Sequence, residues 1–138
     1  RKLSGPIMDR IDMWVPVQHI DYDTLSHARI GEESLAVRTR VEKARTFARE
    51  RFNKVGDTHI TKNKDMKAKD ISTHIILSPH SLVLMKKLST SYTLSPRAYH
   101  RVLRLARTIA DLRSSENITD EDILEAFQYR PKLYQDRI

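Results

Sequence analysis

The stretch LSPRAYHRVLRLARTIADL, residues 94–112, places Arg97, Arg101, Arg104 and Arg107 in one periodic segment whose start is marked by a Ser-Pro pair. Ser95 has a hydroxyl to cap the first free amides, Pro96 suits the first helical position where no amide donor is needed, and Arg97 follows in the first turn. A guanidinium there lies near the positive end of the helix dipole, where phosphates are favoured. Ala98, Val102, Leu105, Ile109 and Leu112 recur at helical spacing and predict an apolar stripe facing a core, with Arg97, Arg101 and Arg104 on another face. The chemistry on offer is anion contact. The competing reading is plain surface solvation, which arginines on an exposed helix face provide without any ligand.

Other reactive patterns are missing. There is no G-x-x-x-x-G-K-[ST] phosphate loop and no glycine-rich dinucleotide turn. Histidines at 19, 27, 59, 74, 80 and 100 show no H-E-x-x-H spacing, and cysteine is absent, so neither a protein-bound metal nor thiolate chemistry is expected. Ser, His and Asp are all present, but no G-x-S-x-G elbow frames a nucleophile. His100 could face phosphate or simply pack. Trp14 and Tyr99 read as packing residues, since isolated aromatics make no base-stacking platform.

With 138 residues, 39% hydrophobic and 31% charged, the chain is expected to bury one modest core, and 3 Gly and 5 Pro favour a helical class over a β-rich one. A formal charge of +7 points to an anionic partner. No apolar run approaches the roughly 18 residues of a membrane span, and the start has no secretory pattern; no membrane partner and a cytoplasmic location are expected. The opening Arg1-Lys2-Leu3 lacks an initiating Met, which suggests a segment of something longer.

These residues need elements to position them. A turn at Ser4-Gly5-Pro6 leads into a short helical piece around Ile7–Arg10, then an apolar run from Ile11 to Val17 that contains Pro16 and reads as an edge or terminal strand. After a polar connection through Asp21-Tyr22-Asp23, Glu32–Phe52 form the longest periodic segment, with Val37, Val41, Ala44, Ala48 and Phe52 in register and Leu35 and Phe47 widening the stripe. Its other face is basic: from Arg38 to Lys54 there are seven cations against two anions. Residues 53–70, with Gly56 and five lysines, read as a loop, loose or functional. A second Ser-Pro start at Ser78-Pro79 predicts a helix through about Thr90, and Thr119-Asp120-Glu121-Asp122 opens a last helix with a capping hydroxyl and three carboxylates. The tail from Pro131 reads as an exit. The fold class is mainly α: a small helical bundle preceded by a long basic helix and a short N-terminal strand segment.

Taken together, SGPIMDRID at 4–12, R-x-R-V-E-x-A-R at 38–45, the 94–112 stretch and ITDEDILEAFQYR at 118–130 resemble the C-terminal part of the magnesium-chelatase-like AAA+ ATPases of the ComM/YifB type. The resemblance implies three parts: a remnant of the ATPase core carrying an arginine finger at 1–20, an insertion helix and Lys-rich loop at 21–70, and a helical lid with the sensor-2 arginine at 71–138. It implies that Arg10, in D-R-I-D, is the finger that reaches the ATP of an adjacent subunit, and that Arg97, in L-S-P-R, is the sensor-2 arginine; Arg101, on the same helix face, is a candidate further phosphate contact or plain surface charge. ATP and Mg2+ would be bound by the intact parent, in a ring of identical subunits, a hexamer, working on DNA in branch migration, recombination or competence. No cofactor is expected on this chain by itself, and without the phosphate loop it should be inactive alone. Two other functions stay open: the motor subunit of a magnesium chelatase, and a free-standing DNA-binding domain with Arg97, Arg101, Arg104 and Arg107 on a recognition helix.

Overall fold

The computed structural model describes residues 5–17 and 31–130. Ser4, the connection through Asp21-Tyr22-Asp23, His19, His27 and the tail from Pro131 lie outside them. Among the described residues there are α1 (Gly5–Met8), α2 (Ser34–Val55), a 3-10 turn (Asn63–Asp65), α3 (Ala68–His74), α4 (Pro79–Ser91), α5 (Pro96–Leu112) and α6 (Asp120–Gln128), and no strand.

Both Ser-Pro starts form as their chemistry dictates. Ser78 Oγ accepts from the Ser81 amide at 3.0 Å, and Ser95 Oγ accepts from the Ala98 amide at 3.2 Å, with Pro79 and Pro96 opening their helices. At α6 the Asp122 carboxylate reaches back to the Thr119 amide at 2.8 Å. The long helix α2 runs three residues beyond Phe52 and stops at Gly56, whose φ of 88° is a left-handed conformation that costs glycine little. Gly56 and Asp57 then donate to the carbonyls of Asn53 and Phe52, closing the helix end.

The centre of the bundle is α5, which packs against α6, α2, α3 and the 3-10 turn, while α4 packs on α6. Being surrounded widens its buried face beyond the predicted stripe. Ala98, Val102, Ala106, Ile109 and Ala110 are buried as well as Leu103, whereas Leu105 is half-buried and Leu112 is exposed. The small alanines let neighbouring helices approach, and Phe52, Met66, Met85, Ile123 and Phe127 fill the space around them. Helix α2 joins this core only through its C-terminal half. Ala44, Ala48 and Phe52 are buried, but Leu35 is 71% exposed and Val37 is exposed too, so the first three turns project from the bundle.

Two sequence expectations change. The run Ile11–Val17 forms no strand and, among the described residues, has none to pair with; the Trp14 amide bonds the Tyr129 carbonyl at 2.9 Å, and Pro16 has no donor to offer. The Lys-rich segment is held rather than loose. Ile60, Asn63 and Met66 are buried anchors, and α3 begins at Ala68 with the Asp70 carboxylate accepting from the Lys67 amide at 2.8 Å.

What pins that segment is a buried polar node. Asp111, 2% exposed, accepts from Arg107 Nε at 3.0 Å, from Asn63 Nδ2 at 2.7 Å and from Arg51 Nη2 at 3.2 Å. Asn63 also accepts from Arg51 at 2.7 Å and donates to Thr108 at 3.0 Å. Arg107, itself 2% exposed, spends its remaining donors on the carbonyls of Ser115 and Glu116. Burial pulls Arg107 below its ordinary pKa and Asp111 opposes that shift, so the carboxylate is what keeps the charge tolerable.

Asp111→Ala removes the one buried anion shared by two guanidiniums and an amide, and the expected loss is about 3–5 kcal/mol in urea unfolding. A loss under about 1 kcal/mol would show the node to be peripheral. Ser95→Ala should cost about 1 kcal/mol, with Ser95→Asp close to the parent in the same assay.

Candidate phosphate-contact site

The four arginines of α5 are sorted by their surroundings. Arg107 is buried in the polar node and cannot reach a ligand. Arg104 donates to the Met66 carbonyl at 3.0 Å and the Lys64 carbonyl at 3.3 Å. Arg101 is ion-paired with Asp12. Among the described residues Arg97 alone of the four has no ion-pair or hydrogen-bond partner for its side chain, and it is exposed. It stands in the first turn of the Ser95-capped helix, as the sequence indicated. A recognition helix built on all four arginines is therefore corrected: Arg107 points inward, and Arg101 and Arg104 are engaged within the fold.

The N-terminal segment explains why Arg101 is engaged. Asp9 and Asp12 flank Arg10, and Asp12 turns to Arg101 rather than to Arg10. Arg10 follows α1, whose end is closed by the Arg10 amide bonding the Ile7 carbonyl at 3.0 Å. Its side chain is exposed and, among the described residues, unpaired. No salt bridge of Arg10 with Asp9 or Asp12 forms among the described residues.

A residue that the sequence reading left unassigned connects the two exposed arginines. Arg130, just past α6 and 7% exposed, donates through Nη1 to the Ile11 carbonyl at 2.9 Å and through Nη2 to the Ala98 carbonyl at 3.2 Å. Ile11 follows Arg10 and Ala98 follows Arg97. One buried guanidinium therefore bridges the backbone immediately beside both. The Trp14 amide bonded to the Tyr129 carbonyl adds a further tie between the same segment and the end of α6. Nothing local in the sequence announces this, because Arg130 and Ile11 are 119 residues apart.

Electrostatically the region is a compensated cluster of cations. Burial draws Arg130 below its ordinary pKa, and Arg101 adds to that, while Asp9 and Asp12 work in the opposite sense. Burial and then the charge of Arg101 likewise lower Arg104, with Asp12 opposing. The acids of the N-terminal segment thus offset the mutual repulsion of Arg101, Arg104 and Arg130. Beside them lies an open groove of about 410 Å³, lined by Asp12, Lys64, Arg101, Arg104, Leu105 and Thr108 among others. A separate hollow of about 270 Å³ between α2 and the turn after α5 is lined by Arg51, His74 and Arg107, which already pair inside the fold.

The Ser, His and Asp that do meet have the wrong order for nucleophilic catalysis. Ser81 donates directly to Asp120 at 2.6 Å, and His80 meets the other carboxylate oxygen at 2.5 Å, so no imidazole activates the serine. The group joins the start of α4 to the first turn of α6. His100 is half-buried, its ring edge-on to Tyr99. Among the described residues no helix is long and apolar enough to cross a membrane.

Comparison with known proteins places the chain in a family. Residues 31–130 match the family profile described as magnesium chelatase, subunit ChlI C-terminal. The chain is 34% identical over 130 residues to the competence protein ComM of Haemophilus influenzae, covering 94% of this chain and 24% of that protein. It is 31% identical to the uncharacterised protein YifB of Salmonella typhimurium and 32% to that of Escherichia coli, each again over 94% of this chain and 24% of the relative. The chain thus spans about a quarter of the length of these relatives. An aligned stretch that includes the N-terminal segment, together with a family profile spanning the whole helical bundle, shows that the chain belongs to the magnesium-chelatase-like family that includes ComM and YifB.

Proposed function

We propose that this chain is the arginine-finger and lid portion of a ring-forming AAA+ ATPase that acts on DNA. The observation that carries the reading is the sorting of cations. Arg101, Arg104, Arg107 and Arg130 are all committed to partners within the fold, while Arg10 and Arg97 are exposed with no side-chain partner among the described residues. Those two are the residues on which the family resemblance had placed the finger and the sensor.

The residues fit a polyphosphate in charge and in donor type. Arg10 offers a fork of donors for a terminal phosphate across a subunit boundary, where it would neutralise charge as the phosphoryl group departs. Arg97 offers a second fork beside the first-turn amides of α5, so a phosphate drawn to both would pull on the helix at the centre of the bundle. Bound ATP with Mg2+ supplies the transferable phosphoryl group. Because α5 contacts α2, α3 and α6, a pull at its start tilts the bundle as a unit.

The DNA part of the proposal rests on the +7 charge, on exposed Lys43, Arg45 and Arg49 along α2, and on the competence role in the name of ComM. The description of the family profile supports a second reading, a chelatase motor, with the same arginines serving a different load. Stimulation of ATP turnover by DNA separates the two.

In a full-length family member carrying this sequence after an ATPase core, Arg10→Ala is expected to reduce kcat for ATP by about 10³-fold or more. Arg97→Ala should reduce turnover as well, with assembly and helical content unchanged in both. Parental turnover in both variants would refute the assignment. On the isolated chain, DNA affinity should be weak and fall with salt at a log-log slope no steeper than about −3, the signature of a few phosphate contacts. A slope near −6 with tight binding would instead favour a free-standing DNA-binding domain.

A further inference from the structure

Resting on that reading, we infer that Arg130 is the positioning residue that fixes Arg10 relative to Arg97, and so transmits the attitude of the lid to the finger. The segment carrying Arg10 has few ties of its own. Residues 9–17 form no helix or strand and contribute nothing to the buried core. Among the described residues the ties that hold them to the bundle are the Trp14 amide at the Tyr129 carbonyl, Asp12 at Arg101, and the Ile11 carbonyl at Arg130.

Of these, the Arg130 contact is part-buried and is made by a side chain that is itself only 7% exposed. Asp12 is mostly exposed, so its ion pair with Arg101 contributes little against solvent screening. Arg130 is nearly enclosed, and its guanidinium is planar and carries donors at fixed angles. Holding Ile11 with one nitrogen and Ala98 with the other fixes the separation of two backbone points, each one residue from an exposed arginine. A lysine at this position could keep the charge but not the fork, since its donors sit on one nitrogen instead of two held at a fixed separation.

The position of Arg130 gives the brace its direction of action. It follows directly on α6, which packs on α5 and α4. When α5 tilts under load at Arg97, α6 moves with it, and the Arg130 guanidinium carries Ile11 and hence Arg10 along. The two phosphate-contacting arginines are then one mechanical unit joined through a residue that touches no nucleotide.

Trp14, the only tryptophan of the chain, lies half-buried on the tethered segment and reports its docking directly. In the 138-residue chain, Arg130→Ala and Arg130→Lys should shift Trp14 emission to the red and raise its acrylamide quenching about twofold, with helical circular dichroism retained at least in the lysine variant. In the full-length protein either variant should lower kcat for ATP about 10- to 100-fold with little change in KM, as expected of a displaced finger. Combined with Arg10→Ala, Arg130→Lys should add less than about twofold, because both act through one group. Multiplicative losses in the double variant, or an undisturbed Trp14 in Arg130→Lys, would overturn the positioning role. Parental turnover in Arg10→Ala and Arg97→Ala would overturn the underlying ATPase reading as well, and the Trp14 signal distinguishes that failure from a failure of the brace.

Discussion

The buried carboxylate of Asp111 is the interaction on which the rest of the structure depends. A charged group taken out of water must be met by opposite charge and by donors, and here the supply comes from three parts of the chain: Arg51 on α2, Asn63 in the Lys-rich segment and Arg107 on α5 itself. Each supplier is thereby fixed in place. The projecting basic helix is anchored at its C-terminal end, the segment between α2 and α3 is laid along α5, and the turn after α5 is closed by Arg107 on its carbonyls. Apolar packing around Ala106 and Ala110 supplies the bulk of the burial, but many arrangements of helices could bury alanines. The polar node selects one of them.

A second, more exposed cluster of charges lies where the N-terminal segment meets α5. Arg101, Arg104 and Arg130 crowd one end of α5, and the acids Asp9 and Asp12 arrive with the N-terminal segment to offset them. This accounts for the alternation in the short sequence Asp9-Arg10-Ile11-Asp12. Asp12 turns to Arg101 and the Ile11 carbonyl meets Arg130, while the arginine between the acids remains outside. The exposure of Arg10 is thus a consequence of how its neighbours are bonded, and Arg97 stands exposed in the first turn of α5.

Local chemistry was legible in the sequence, and long-range pairing was not. Ser78, Ser95, Thr119 and Gly56 mark helix ends through contacts within a few residues, so their meaning can be read without a fold. The faces of α2 and α5 were only half legible. Leu35 and Val37 continue a periodic stripe that finds no core to enter, and Arg107 adjoins the inner residue Ala106 at a place where only Asp111 and two distant carbonyls make a guanidinium acceptable. Arg130 closes the motif at 118–130, but its partner and the Asp111 partner of Asn63 could not be read, since they lie 119 and 48 residues away. Pro16 did mark the extended run as a poor strand, and the strand itself was lost because pairing requires a partner that the described residues do not contain.

The central claim is that Arg10 and Arg97 are the phosphate-contacting groups of this chain. Its most direct test is a structure of the assembled full-length protein with a non-hydrolysable ATP analogue. The account predicts the Arg10 and Arg97 guanidiniums at hydrogen-bonding distance, about 3 Å, from phosphate oxygens, with Arg130 still bridging Ile11 and Ala98. Nucleotide bound with both arginines turned to solvent would contradict it.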